Sequence, residues 1–483
     1  PRVRRQRQMC IRDRSGDDTT GKNGRPEHGL PFISRRSSNM EETRITTKEI
    51  QKTQELIDFI KKSPSCYHVI HNIAAELEEA GYEQLNEAKE WTLHKGGRYF
   101  VTRNQSSLIA FTLPEETLGG FLICASHSDS PTFKLKSNYE MTVDDRYLKL
   151  NVEKYGGMIC STWLDRPLSV AGRVVVNRGD GIESVLVNLD RDLCLIPNLA
   201  IHMNRQINEG YAYNAQKDML PLLGEGTAKG KLKELLAEAA GVEEEALLGY
   251  DLFLYLREDG RIWGAEQEFY SSPKIDDLQC AFASKEAFLQ AENTGMSKVL
   301  AIFDNEEVGS GTKQGAKSTF LSDVLARIQE GLSLAKGESI RQIASSMMLS
   351  ADNGHALHPN HTDKADPTNA PRLNGGVLIK YNANQKYTTD GIAEALFKKL
   401  LQKEEISYQE YTNRSDIAGG STLGNLSNEK ISLNTVDMGA AQLAMHSAYE
   451  TGGTKDTVFL MEGIRAFYES RIQMEEDGRY RCY

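Results

Sequence analysis

The chain has 483 residues, 26% of them charged and 39% hydrophobic, with a net charge of −11. Two or three domains of ordinary size fit this length, and the composition is that of a globular protein. The excess of acid argues against non-specific nucleic-acid binding, and no apolar run approaches the ~18 residues of a membrane span.

Residues 1–39 hold ten Lys/Arg and four Asp/Glu, a net of +6 against about −17 for the remainder. This segment lacks periodicity and is expected to be disordered or artefactual. Its stretch RQRQMCIRDR resembles translated sequencing-adapter sequence, with Met40 then the expected start. A basic arm or a targeting peptide is the alternative, although Asp13, Asp17 and Asp18 weaken the latter. The seven cysteines (Cys10, Cys66, Cys124, Cys160, Cys194, Cys280 and Cys482) contain no CxxC. They argue for a reducing compartment, the cytoplasm, and against a thiolate zinc site.

Order begins with a helix over 47–62, where Thr46 and Glu49 have capping-box spacing. A second helix fits 72–80 with Asn72 as its cap and Gly81 past its end. Strands follow at 98–103 and 107–113, then the apolar run FLICASHSDSP (121–131). From 132 to 260 strand-like segments recur at 146–152, 171–177 and 183–189, with a surface helix pair over 226–247. This reads as an inserted β-rich domain between catalytic parts at 40–131 and 261–483. After 261, helices at 277–292, 318–335 and 389–402 alternate with strands at 298–303, 346–351, 376–381 and 431–436. The expectation is an α/β fold with a largely parallel sheet flanked by helices, and an active site at the strands' carboxyl ends.

Several chemically active residues fall at such ends. Val299–Phe303 is a buried-strand signal, followed by Asp304, Asn305, Glu306 and Glu307 and then Gly309-Ser310-Gly311. Adjacent glutamates point in different directions, so one can bind a cation while the other faces a water, as metal-assisted hydrolysis needs. A solvated acidic turn is the alternative. His127 ends its strand and Asp129 leaves the same face two residues on, which suits a metal ligand tuned by a neighbouring carboxylate, or else a surface turn. Asp276 and Asp277 precede a helix. Helix capping is the alternative for the pair, and it can hold for Asp277 while Asp276 binds metal. Asp352 follows a strand, and His355, His358 and His361 lie in the turn after it, either as a metal site or as a polar loop. His446 is placed near the start of the last helical region, where a lone His is usually structural. Together these supply the His/carboxylate mix that Zn²⁺, Co²⁺ or Mn²⁺ accepts, and two such ions ~3.5–4 Å apart can activate a water between them.

The motifs SHSDSPTFKLK, TWLDRPLSVAGRV, SPKIDDL, FDNEEVGSGTKQGA, SADNGHALHPN, LNGGVLIKYNANQKYTTDG, GGSTLG and TVDMGAAQLAMHS resemble, in order, the aspartyl aminopeptidase/aminopeptidase I family of metallopeptidases, over about 42–470. The resemblance implies two divalent ions, zinc with Co²⁺ or Mn²⁺ admissible at one site. Asp276 would bridge them, His127 and Asp352 would complete one, and Glu307 and His446 the other. Glu306 would be the general base and Asp129 the partner of His127. The family's inserted β-domain serves assembly into dodecamers. His202 matches a histidine lent to a neighbouring subunit's active site, or else is a packed His on a strand. His355 matches a residue near the substrate, and Lys380 one that pairs with an acidic substrate side chain. The implied activity is release of an N-terminal residue, Asp or Glu, from peptides. A neutral or broad-specificity aminopeptidase, an inert oligomeric pseudoenzyme and a related deacylase or carboxypeptidase are the alternatives.

Overall fold

The computed structural model describes residues 44–116 and 119–483. The expectations for residues 1–39 lie outside the described residues.

The first helix, Thr47–Lys62, starts as its capping box predicts: Glu49 N–H donates to Thr46 Oγ1 at 3.3 Å and Thr46 N–H to Glu49 Oε2 at 2.6 Å. The second runs Cys66–Glu79, not 72–80. Asn72 does not cap it. Its Nδ2 donates to Lys62 O at 2.9 Å and Ser63 Oγ at 3.0 Å, so it satisfies the open end of the preceding helix instead.

Nine strands form the main sheet. In spatial order they are Glu83–Leu85, Arg98–Arg103, Ser107–Thr112, Ser297–Phe303, Phe121–His127, Met347–Ala351, Asn434–Gly439, Val377–Tyr381 and Tyr408–Thr412. The four central strands, 297–303 to 434–439, are mutually parallel, and three antiparallel pairings flank them. The fold is therefore mixed α/β, as expected. The apolar run 299–303 is continuous because both faces are covered: Leu300 and Ile302 enter one core, Val299, Ala301 and Phe303 the other. Helices Thr47–Lys62, Ile275–Gln290, Gly391–Lys403 and Asp456–Tyr468 pack on the first face and Phe320–Gly331 on the second. Each fully buried Leu or Ile contributes roughly 1.5–3 kcal/mol relative to exposure. Parallel central strands bring the residues after Ser126, Phe303 and Ala351 to one edge.

A second, antiparallel sheet takes all six of its strands from 132–256, in the order Ile182–Asn188, Leu168–Asn177, Leu247–Leu256, Thr132–Val143, Tyr147–Tyr155 and Leu222–Glu225. Its inner face alternates, Leu148, Leu150 and Val152 being buried between more exposed neighbours. The helix pair expected over 226–247 is one helix, Lys231–Ala240. Gly230 (φ 86°) and Gly241 (φ 65°) end it on both sides by taking the left-handed conformation.

A third sheet, unforeseen from the sequence, has five short strands in the order Arg261–Trp263, Phe269–Ser272, Glu450–Gly453, Ala441–Leu443 and Gly354–His355. It joins segments distant in the chain, so no local periodicity announces it. His446 lies in the turn between two of these strands, not at a helix start; the last helix is Asp456–Tyr468. The strand expected at 431–436 runs Asn434–Gly439. Among the described residues, no helix is long and apolar enough to cross a membrane.

Candidate metal centre

At the carboxyl edge of the central strands, His127, Asp276, Asp277, Glu306, Glu307, Asp352 and His446 converge in three overlapping groups, each with ligand atoms within 4.8 Å of one another. The Asp276 carboxylate lies between two imidazoles: its Oδ1 is 3.5 Å from His127 Nε2 and its Oδ2 is 3.5 Å from His446 Nε2. Glu307 Oε2 is 3.4 Å from His446 Nε2, and Glu306 Oε2 is 4.0 Å from His127 Nε2. All five expected ligand residues (His127, Asp276, Glu307, Asp352, His446) are brought together with Glu306.

Both histidines are oriented from behind. His127 Nδ1 faces Asp129 O at 3.1 Å and His446 Nδ1 faces Gly157 O at 2.6 Å. A carbonyl oxygen accepts only from N–H, so each ring carries a proton on Nδ1 and turns its Nε2 to the cluster. Asp129 is buried and does more than flank His127, whose Nδ1 is 3.3 Å from its Oδ1. Oδ1 accepts Glu306 N–H at 3.1 Å, and Oδ2 accepts Glu307 N–H at 3.2 Å and the Tyr155 hydroxyl at 2.7 Å. It thereby sets the backbone that carries the glutamate pair. Asn305, at φ 61°, makes the sharp turn out of the strand.

The expectation that Asp277 caps the helix is overturned. It is fully buried, its Oδ2 accepts His127 N–H at 3.2 Å, and Lys274 occupies the cap position. The peptide bond between Asp276 and Asp277 is cis.

The electrostatics are those of uncompensated carboxylates. Burial, then Asp352, Asp129 and Asp276, push Glu306 up to about 8, while His127 opposes them. Burial, with Asp276 and Glu306, raises Glu307 well above the usual carboxylate range. Asp276 moves the other way: burial would raise it, but its two histidines hold it below that range. Asp276 Oδ1, Asp277 Oδ1 and Glu307 Oε1 are buried without a hydrogen-bond partner. Orphaned carboxylate oxygens beside two imidazole Nε2 atoms are a donor set that a divalent cation satisfies by displacing the imidazole protons.

The comparisons with known proteins agree. Residues 59–468 match the family described as aminopeptidase I zinc metalloprotease (M18). The chain belongs to this family. It is an enzyme, a metalloaminopeptidase that hydrolyses peptide bonds. A Clostridium novyi relative, "Probable M18 family aminopeptidase 2", is 43% identical over 429 residues, 87% of this chain and 99% of that one. A solved Ape4, in complex with Nbr1, superposes with a TM-score of 0.84 at 34% identity, covering 88% of this chain and 87% of that one. The S. cerevisiae mApe1 dodecamer gives 0.77 at 28% identity, covering 88% and 97%.

The remaining expected residues of this M18 chain fall elsewhere. His355 is exposed on the short strand Gly354–His355 and lines a cleft with His358, His361, Lys364 and Arg414. His358 and His361 stack at 5.0 Å between ring centroids, and neither joins a metal-binding group among the described residues. Lys380 is buried, donates to Asn353 O at 2.9 Å and lies 3.7 Å from Asp352 Oδ2. His202 is on an exposed turn, not packed on a strand, and no cluster residue is among its hydrogen-bond or ion-pair partners.

Sequence reasoning missed Tyr155 and Glu450. Tyr155 ends a strand of the second sheet yet donates to Asp129 and accepts from Asn305 Nδ2 at 2.7 Å. Glu450, 2% exposed, accepts backbone N–H groups of Asp276 and His446. Neither sits beside a recognisable ligand pattern, so no signal in the sequence marks them.

Proposed function

We propose that the enzyme removes an acidic N-terminal residue, Asp or Glu, from peptides, using two divalent cations. The observation that carries this is the Asp276 carboxylate with one oxygen toward each histidine, which supports a bridging ligand. His127 and Asp352 would complete the hold on one ion, Glu307 and His446 on the other. The donor set fits zinc at both, with Co²⁺ or Mn²⁺ admissible at one. The cations supply Lewis acidity and an activated water nucleophile.

Glu306 takes the proton of the attacking water through its Oε2 and returns it to the leaving amine. Asp129, holding the Glu306 and Glu307 amides, keeps the base in line. Lys364 and Arg414 line the adjacent cleft beside His355, His358 and His361, but Asp363 and Asp416 pair with the two cations, so the acidic preference is carried by the family resemblance rather than by the charge of the cleft. Lys380 is the anchor that the resemblance assigns to an acidic substrate side chain. Its enclosure by Asn353 and Asp352 favours the competing reading, a neutral or broad-specificity aminopeptidase.

The stretch 132–260 is proposed as an inserted oligomerisation domain. It exposes Ile182, Leu199, Ile201, Met203 and Leu248, which suits burial against further copies in a dodecamer. His202, between Ile201 and Met203, would then reach a neighbouring copy's active site and stabilise the developing oxyanion. The six described cysteines are unpaired, in keeping with a cytoplasmic setting.

Hydrolysis of Asp-, Glu-, Leu- and Lys-aminoacyl chromogenic substrates tests the reading, beside Glu306→Gln and a chelated sample. Asp and Glu are expected to be cleaved best, with both controls inactive. Preference for Leu would retain the mechanism and discard acidic specificity. No cleavage by fully metallated protein would overturn the mechanism.

A further inference from the structure

Two of the cluster's residues, Asp276 and His446, come from unrelated segments, and one side chain ties them together. Glu450 Oε2 accepts Asp276 N–H at 3.0 Å, and Oε1 accepts His446 N–H at 2.7 Å. Gln442 Nε2 donates to the same Oε1 at 3.2 Å, and Asn353 Nδ2 holds Gln442 in turn through its Oε1 at 2.8 Å. The Glu450 carboxylate is thus a locked, buried double acceptor beneath the metal cluster.

The two histidines differ in what else restrains them. His127 ends a central strand, paired in register with Phe303. His446 stands in a turn at φ 66°, a left-handed conformation that a non-glycine residue holds only when its surroundings impose it. Beyond Glu450, its ring and carbonyl are held by Gly157 O and by Ile159 N–H at 3.0 Å. Asp276 has a further hold, its carbonyl accepting from Ser130 Oγ at 2.9 Å. Asp276 is buried in the first turn of the helix Ile275–Gln290, whereas His446 sits in a strained turn with a third of its side chain exposed, so losing Glu450 falls most heavily on His446.

We propose that Glu450 is a positioning residue that sets the affinity of the cation held by Asp276, Glu307 and His446, and much less that of the cation held by His127 and Asp352. The proposal rests on the two-ion reading above. Alanine at 450 removes both acceptors, whereas a glutamine would keep its oxygen on the side of His446 and Gln442, the two donors that share Oε1.

The test is Zn²⁺ titration of metal-free wild type, Glu450→Ala and His446→Ala in competition with a chromogenic chelator, with the ion content of dialysed protein counted. Removing such an outer partner typically costs ~10–100-fold in metal affinity. Glu450→Ala is expected to retain one ion near wild-type affinity and to bind the other about 10-fold or more weakly. His446→Ala should lose that same ion, and excess Zn²⁺ should restore kcat in Glu450→Ala. A merely structural role would lower Tm without selecting between ions. If Glu450→Ala is not recovered folded, Glu450→Asp, which keeps both acceptors on a shorter arm, is titrated instead and is expected to weaken the same single ion. Unchanged affinities, or equal weakening of both ions, would overturn the proposal. A wild type that binds fewer than two ions would overturn the two-ion reading and this proposal with it, an outcome distinct from an unresponsive variant.

Discussion

The two halves of the metal centre are built differently. His127 and Asp352 follow directly from central parallel strands whose both faces are buried, so the main sheet fixes their positions. His446 instead hangs from a turn of the small third sheet and is held by a carboxylate four residues on and by a carbonyl of the segment after Tyr147–Tyr155. A strand end is placed by a cooperative ladder, whereas a turn is placed by its own few hydrogen bonds. The difference teaches that the strand-end half tolerates loss of a single contact better than the turn half does.

Asp276→Ala attacks the residue common to both halves and has the largest expected effect. Both ions should be lost, and hydrolysis should fall to the chelated background, as measured by ion content and peptide turnover. Retention of either ion at wild-type affinity would separate the halves more completely than the geometry suggests. Glu306→Gln comes next. General acid–base catalysis supplies roughly 10²–10⁴-fold, so a kcat loss near 10³-fold is expected with both ions still bound. A loss of metal as well would make Glu306 a ligand rather than a base.

His127→Ala and His446→Ala compare the halves directly, each expected to release one ion. The metal-free Tm should drop further for His127→Ala, because His127 is 1% exposed and its removal leaves a cavity, whereas a third of the His446 side chain is exposed. Scanning calorimetry of the metal-free proteins measures this, and equal shifts would break the contrast. The smallest effect is expected for Tyr155→Phe. It removes the hydrogen bond to Asp129 and the one accepted from Asn305 Nδ2; the first bears on the glutamate pair and is worth about 1 kcal/mol, so kcat should fall roughly fivefold with KM little changed. No change would mean that the second sheet exerts no hold on the glutamate pair.

Much of the strand-end half was legible in the chain itself. A continuous apolar run followed at once by carboxylates or a histidine specifies a doubly covered strand and what leaves its end. FLICASH, VLAIFDNEE and MMLSAD all carry that pattern, and the capping box at Thr46 and Glu49 is equally local. Asp277 misled because an acid before a helix is an ordinary cap, and only its burial beside His127 shows otherwise. Asn72 misled in the same way, being a cap-type residue used by a neighbouring helix. The third sheet, the left-handed turn at His446, and the reach of Tyr155 and Glu450 into the cluster required the folded structure. Each depends on segments tens to hundreds of residues apart meeting edge to edge. Periodicity and motif spacing report what a residue does within its own element, and only tertiary packing decides which distant groups share one buried, charged volume.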